Sequence, residues 1–102
     1  LFALIHAGNA VSPEASAEMV EMLRRQLYRE SIPRYLDDVT VANKNGSDSG
    51  VRNDCAIVQR DAGDFVLCVF TKENQDRSWR LDHEGHMVAA DIARIIHERL
   101  GR

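Results

Sequence analysis

A chain of 102 residues has room for one domain, and a hydrophobic share of 44% suits a packed core, which excludes a disordered chain. The net charge is −3 and the basic residues are scattered, so no patch points to nucleic acid or a membrane surface. No apolar run reaches the length of a membrane span.

Leu1 to Ala7 reads as a short helical end stopped by Gly8-Asn9. It lacks the basic flank and cleavage signature of a signal peptide. A chain opening on leucine inside a helix is expected to be an engineered truncation, a proteolytic product or one piece of a longer protein. Ser12 is predicted to cap a second helix, with Pro13 at its first position and Glu14 at its positive end. Ala15, Met19, Val20, Leu23 and Leu27 form its core-facing stripe, while Arg24, Arg25 and Arg29 form a solvated face. Pro33 is expected to block a helix and keep Ser31 to Leu36 as a link. Ile32 and Leu36 tuck under a sheet, and Tyr35 packs.

Three strands are predicted, at about Thr40 to Lys44, Asn53 to Arg60 and Phe65 to Thr71, with Asp61-Ala62-Gly63-Asp64 as a turn. Cys55, Ile57, Val66, Cys68 and Phe70 share one face, and Ala56, Val58, Phe65, Leu67 and Val69 the other. Both rows are apolar, so the sheet is expected to be covered on both sides. With Arg60 and Phe65 flanking the turn, Cys55 falls opposite Phe70 and Cys68 opposite Ile57. The thiols are then diagonal neighbours, predicted to be buried and free.

Lys72 to Leu81 is a polar connection in which Trp79 is expected to anchor onto the sheet or helix. Asp82 is predicted to cap a last helix carrying Val88, Ile92, Ile95, Ile96 and Leu100 inward, ended by Gly101. His83 and His86 stand at i, i+3, not at the i, i+4 of the helical zinc motif, and no third ligand is evident. They read as exposed first-turn residues, with no metal site. His6 and His97 read as isolated, with no nucleophile beside them.

The chemistry concentrates between Val41 and Val58, VANKNGSDSGVRNDCAIV. Two alternating runs flank Lys44-Asn45-Gly46-Ser47-Asp48-Ser49-Gly50, followed by Arg52. A lysine at a strand's end, before glycine and small residues, can sit beside a ligand with backbone N–H groups open. An arginine starting the return strand can hold an anion with its planar fork.

These residues, with CAIV and FVLCVFTK, resemble inner strands of the serine β-lactamase and penicillin-binding-protein superfamily, nearest its class A-like members. Lys44-Asn45-Gly46 stands where that family has K-T-G. SPEASAEMVEMLRRQLYRESIPRYL and HMVAADIARIIHERLG resemble the preceding helix and the terminal helix. The likeness spans nearly the whole chain but only the C-terminal part of the family. It implies an α+β fold with a three-stranded antiparallel sheet and flanking helices in the order α-α-β-β-β-α. Residues 1–102 are then a single, incomplete part of that fold. The N-terminal strands and the helical domain that carries the nucleophile are missing.

The resemblance also implies roles. Lys44 supplies positive charge to a substrate carboxylate and tunes the polar network. Asn45 donates from its amide where a hydroxyl is usual, Gly46 permits close backbone approach, and the Ser47 N–H is half of an oxyanion hole. Arg52 braces the carboxylate, so that it and Lys44 are expected to form one anion-holding wall. A β-lactam or related acyl compound is the implied substrate of the intact protein, no cofactor is implied, and the implied location is periplasmic or secreted. The residues three after Ser12, Ser16, Ser31, Ser47, Ser49 and Ser78 are Ala15, Met19, Arg34, Gly50, Arg52 and Leu81. No S-x-x-K nucleophile is therefore present, and S-D-N is absent too, so the chain alone is expected to be inert. Lacking its neighbours, the Phe65 to Thr71 edge is expected to pair with the missing part or in a homodimer. The alternative is a non-catalytic α/β domain that self-associates or binds an anion.

Overall fold

The computed structural model describes residues 1–101. Helix α1 (Phe2–His6) ends before Gly8, whose φ of +79° is the left-handed turn that glycine tolerates. Helix α2 (Pro13–Arg24) starts as the sequence requires. Ser12 is extended and its Oγ accepts from the Ala15 N–H at 3.0 Å, with Pro13 in the first turn. Ser16, buried, ties the α1–α2 loop by bonding both the N–H and the carbonyl of Ala10. Because α2 stops at Arg24, Leu27 lies beyond it and is exposed, not part of the stripe. Pro33 does not block a helix. It sits in the first turn of a short 3₁₀ segment, Ile32–Tyr35, where its missing N–H costs nothing. Ile32 and Leu36 are buried as expected.

Strands β1 (Thr40–Asp48), β2 (Val51–Gln59) and β3 (Phe65–Thr71) form one antiparallel sheet in that order. β1 runs four residues beyond its expected end, and β2 begins two residues early. Polar side chains do not stop a backbone ladder, and only Gly50, at φ +69°, needs turn geometry between Asp48 and Val51. The β2–β3 turn is longer than expected, closing on Val58 and Phe65, so the register shifts by two residues. Cys55 and Cys68 are thereby directly opposed and form a disulfide. The expected free, diagonal thiols are not what the fold contains. A pair sharing one position of the ladder brings its Cβ atoms within bridging distance, which diagonal neighbours do not.

Two cores sandwich the sheet. On one face Val41, Ala56, Val58 and Val69 pack with Ile32, Leu36, Ala89 and Ala93. On the other, Ala42 and Ile57 pack with Ile5, flanked by Phe2, Met19, Val20 and Leu23. The second face is covered only over β1 and β2. At β3 it is open, and Phe70 is 71% exposed.

Helix α3 (Glu84–Arg99) is capped by His83, not Asp82: the imidazole Nδ1 accepts from the Gly85 N–H at 2.9 Å. It turns Gly85, His86, Ala89, Ala90, Ala93 and His97 inward. Val88, Ile95 and Leu100, expected inside, are exposed, while Ile92 packs at the edge of the core. The helix lies close to the sheet, so small residues take the contact line and branched ones flank it.

Beneath the link lies a buried polar knot. The Asp54 carboxylate accepts from the Ile32 N–H at 3.0 Å and from the Asn43 amide at 3.1 Å, and that amide also reaches the Tyr28 carbonyl. Among the described residues the Asn43 Oδ1 meets no hydrogen-bond partner. Burial raises the Asp54 pKa from 3.8 to about 6 against those bonds. A carboxyl that holds its proton more tightly folded than unfolded stabilises the fold fully below pH 3.8. That contribution is lost as pH rises through about 6. The expected fall is about 3 kcal/mol across this window, at 1.36 kcal/mol per unit. Urea unfolding at successive pH values reads it directly. Asp54→Asn is expected to flatten the decline, and an unchanged slope in that variant contradicts the assignment.

Candidate functional site

The ladder decides which backbone groups of β1 are free. The Cα atoms of Cys55 and Cys68 are 4.0 Å apart, the close spacing of a non-hydrogen-bonded pair, so the backbone of Cys55 bonds toward β1. Alternation then makes Asn45, opposite Asp54, and Ser47, opposite Arg52, the non-hydrogen-bonded positions of the β1–β2 ladder. Their N–H and C=O groups point away from β2. β1 is an edge strand, so they face out of the sheet. Two contacts agree: Lys44 Nζ donates to the Asn45 carbonyl at 2.7 Å, and Arg29 donates to the carbonyl of Val41, which shares this parity, at 3.4 Å.

Side chains divide by the same alternation. Asn45, Ser47 and Arg52 share one face, whereas Lys44 leaves from the other, beside Cys55. The single wall expected of Lys44 and Arg52 is therefore not built within one face. The exposed Lys44 ammonium lies at the free edge, on its own strand's carbonyl. Gly46 is exposed, and a Cβ there meets nothing within 4 Å, so its lack of a side chain matters only to something approaching from outside.

Arg52 is held in place. It is 3% exposed, with Nη1 donating to the carbonyls of Asp48 and Val51 and Nη2 to that of Ser78. Three of the five guanidinium N–H groups thus join the β1–β2 turn to the 72–83 connection. Its Cζ lies over the Trp79 ring, 4.4 Å from the centroid. Trp79, expected to be an anchor on the sheet or helix, packs on this guanidinium and is otherwise 68% exposed.

Asn45, Ser47 and Arg52 line a cleft of about 360 Å³ with Trp79, His86 and Glu30. A larger cavity, about 570 Å³, lies at the opposite end of the sheet among Asp37, Asp38, Asp61 and Asp64, away from these groups. His86 and His83 are both buried, not exposed as expected. His83 Nε2 bonds the Asp76 carbonyl at 2.7 Å. His86 Nδ1 meets the Ser31 hydroxyl at 2.6 Å, and burial lowers its pKa, so the ring is neutral at pH 7. This Ser–His pair joins residues 55 apart, which no local spacing reveals. Ser31 is buried, so its hydroxyl is not presented to an acyl group. His97 is not isolated either: it bonds Asp38 and Arg60 at 3.0 and 2.9 Å.

The profile of the beta-lactamase enzyme family matches residues 1–100. The chain belongs to that family. Its structure resembles the beta-lactamase from Sphaerobacter thermophilus DSM 20745 at 30% identity and TM-score 0.87, over 98% of this chain and 37% of that one. PBP-A gives 19% identity and TM-score 0.77, over 96% and 36%. A PBP-A variant, an acyl-enzyme complex with penicillin G, gives 22% and 0.80 over the same shares. These two matches show the fold alone. The chain spans little more than a third of each of these proteins. No curated protein matches it significantly. The chain thus has the fold of part of the Sphaerobacter enzyme, with three antiparallel strands and flanking helices.

Gly85 is what lets α3 descend onto Arg52. A Cβ there would stand 2.7 Å from Thr71 Oγ1 and 2.8 Å from the Arg52 Cβ. Gly85→Ala is expected to cost about 1–3 kcal/mol by overpacking. Thermal unfolding is expected to show at least a 4 °C drop in midpoint, roughly the shift per kcal/mol in a domain this size. A midpoint unchanged within a degree contradicts the close approach.

Proposed function

We propose that this chain is the C-terminal segment of a β-lactamase-like serine hydrolase, acting on β-lactams or related acyl compounds. The observation that carries this is the Ser47 amide on the free edge of β1, beside Asn45 and above the Arg52 cleft. Family membership and the likeness to a β-lactamase support it. In this reading the Ser47 N–H donates to the oxyanion that forms when a serine outside the chain attacks the acyl carbon. Asn45 donates from its amide to the substrate carboxylate. Arg52 braces the same carboxylate with the two N–H groups not engaged by carbonyls, and Gly46 leaves the approach clear. Lys44 acts along the strand edge, as a positive charge to one side of the substrate, not as a partner of Arg52 on one face. The cross-strand disulfide supports a setting outside the reducing cytosol, as a periplasmic or secreted protein would have.

The test is covalent labelling. The gene product carrying this chain is expected to be acylated by labelled penicillin G at a serine outside residues 1–102, and residues 1–102 alone to stay unlabelled. Failure of the longer product to label removes the hydrolase reading, and labelling of the isolated chain removes its inertness.

The β3 edge has a place in the same proposal. Its open face, with Val66, Cys68 and Phe70 exposed, supports pairing with a strand from outside the chain. That strand comes from the rest of the gene product or, in its absence, from a second copy. Size-exclusion chromatography with light scattering is expected to find residues 1–102 as a dimer. A monomer at high concentration contradicts self-pairing.

A further inference from the structure

We propose that Trp79 is a specificity-determining residue of the Arg52 cleft. Its open ring face takes the flat, apolar substituent of a carboxylate-bearing ligand. The inference rests on the reading of that cleft as the acyl-substrate site, and it names which part of the substrate the chain selects.

Trp79 is an unusual surface tryptophan. One ring face is occupied by a guanidinium that cannot move away, because three backbone carbonyls hold it. The backbone before the ring is fixed as well. The Ser78 carbonyl accepts from Arg52 Nη2, and the Ser78 N–H donates to Asp76 Oδ1 at 2.9 Å, while Asp76 Oδ2 receives the Glu84 N–H. The ring is therefore a rigid platform, not a loose side chain, although it is 68% exposed. A large aromatic face held rigid in water is prepared to be covered.

The cleft shows what would cover it. Tyr28 and Leu81 line the same space and are themselves exposed, so three apolar groups gather at one rim. The polar positions Asn45, Ser47 and Arg52 line the same cleft. Apolar and anion-holding groups lining one small cleft match a ligand that carries both a carboxylate and a flat apolar substituent. Two further charged side chains line the cleft: Arg80, paired with Asp82 at 3.0 Å, and the half-buried Glu30.

Trp79 is the only tryptophan of the chain, so it reports on its own surroundings. The experiment titrates the gene product carrying this chain with penicillin G, with acetate as a carboxylate lacking an apolar group. The Trp79 signal is isolated by subtracting the emission of a Trp79→Phe variant. Penicillin G is expected to change Trp79 emission and acetate to leave it unchanged. Trp79→Ala is expected to raise KM for penicillin G about tenfold with kcat within twofold, and Trp79→Phe to restore most of the loss. Thermal unfolding of Trp79→Ala confirms that the variant is folded. Acylation with no change in emission and an unchanged KM in Trp79→Ala overturns the inference and leaves the hydrolase reading standing. A change in emission without acylation supports the ligand contact and removes the hydrolase reading. Neither response overturns both.

Discussion

The pairing register of three short strands fixes the rest. Because side chains alternate at every residue and backbone groups alternate with them, one opposed pair sets the direction of every N–H and every side chain in the sheet. Here that pair is Cys55 and Cys68. From it follow the outward amide of Ser47, the shared face of Asn45, Ser47 and Arg52, and the separate face of Lys44. The chemistry assigned to β1 depends on edge exposure as much as on residue type. A central strand with the same sequence would have its Ser47 amide consumed by a neighbour.

The same register changes what the two cations do. Lys44 and Arg52 look alike in sequence, two basic residues eight apart around a glycine-rich bend. In the fold they are unlike. Arg52 is buried, committed to carbonyls on two segments and stacked on Trp79, whereas Lys44 is exposed at the edge. Their side chains leave opposite faces of the sheet. Membership of the beta-lactamase enzyme family does not depend on that pairing, since it rests on the match along residues 1–100. What the separation changes is the placement of charge: a guanidinium held by three carbonyls beside the cleft and an exposed ammonium on the strand edge, not a two-cation wall.

Much of the architecture was legible because it is local. Ser12 and Pro13 announce the start of α2, the apolar run from Phe65 to Thr71 announces β3, and the family match extends along residues 1–100. The differences at the disulfide, the last helix and the cleft depend on distance in space. Turn length between Val58 and Phe65 cannot be read from Asp61-Ala62-Gly63-Asp64 alone, and two residues there decide whether two cysteines bond. The inward face of α3 is set by how closely the helix approaches the sheet, which favours Ala89 and Ala93 over Val88 and Ile95. His86 and Ser31 meet across 55 residues, and Trp79 meets Arg52 across a connection with no periodic pattern.

Amide hydrogen exchange along β1 tests the central claim most directly. Fast exchange is expected at Asn45 and Ser47, whose N–H groups face outward, and protection at Lys44 and Gly46, which bond to β2. Protection of Ser47 with rapid exchange at Gly46 would mean the opposite register phase, and the proposed oxyanion donor would be lost inside the sheet.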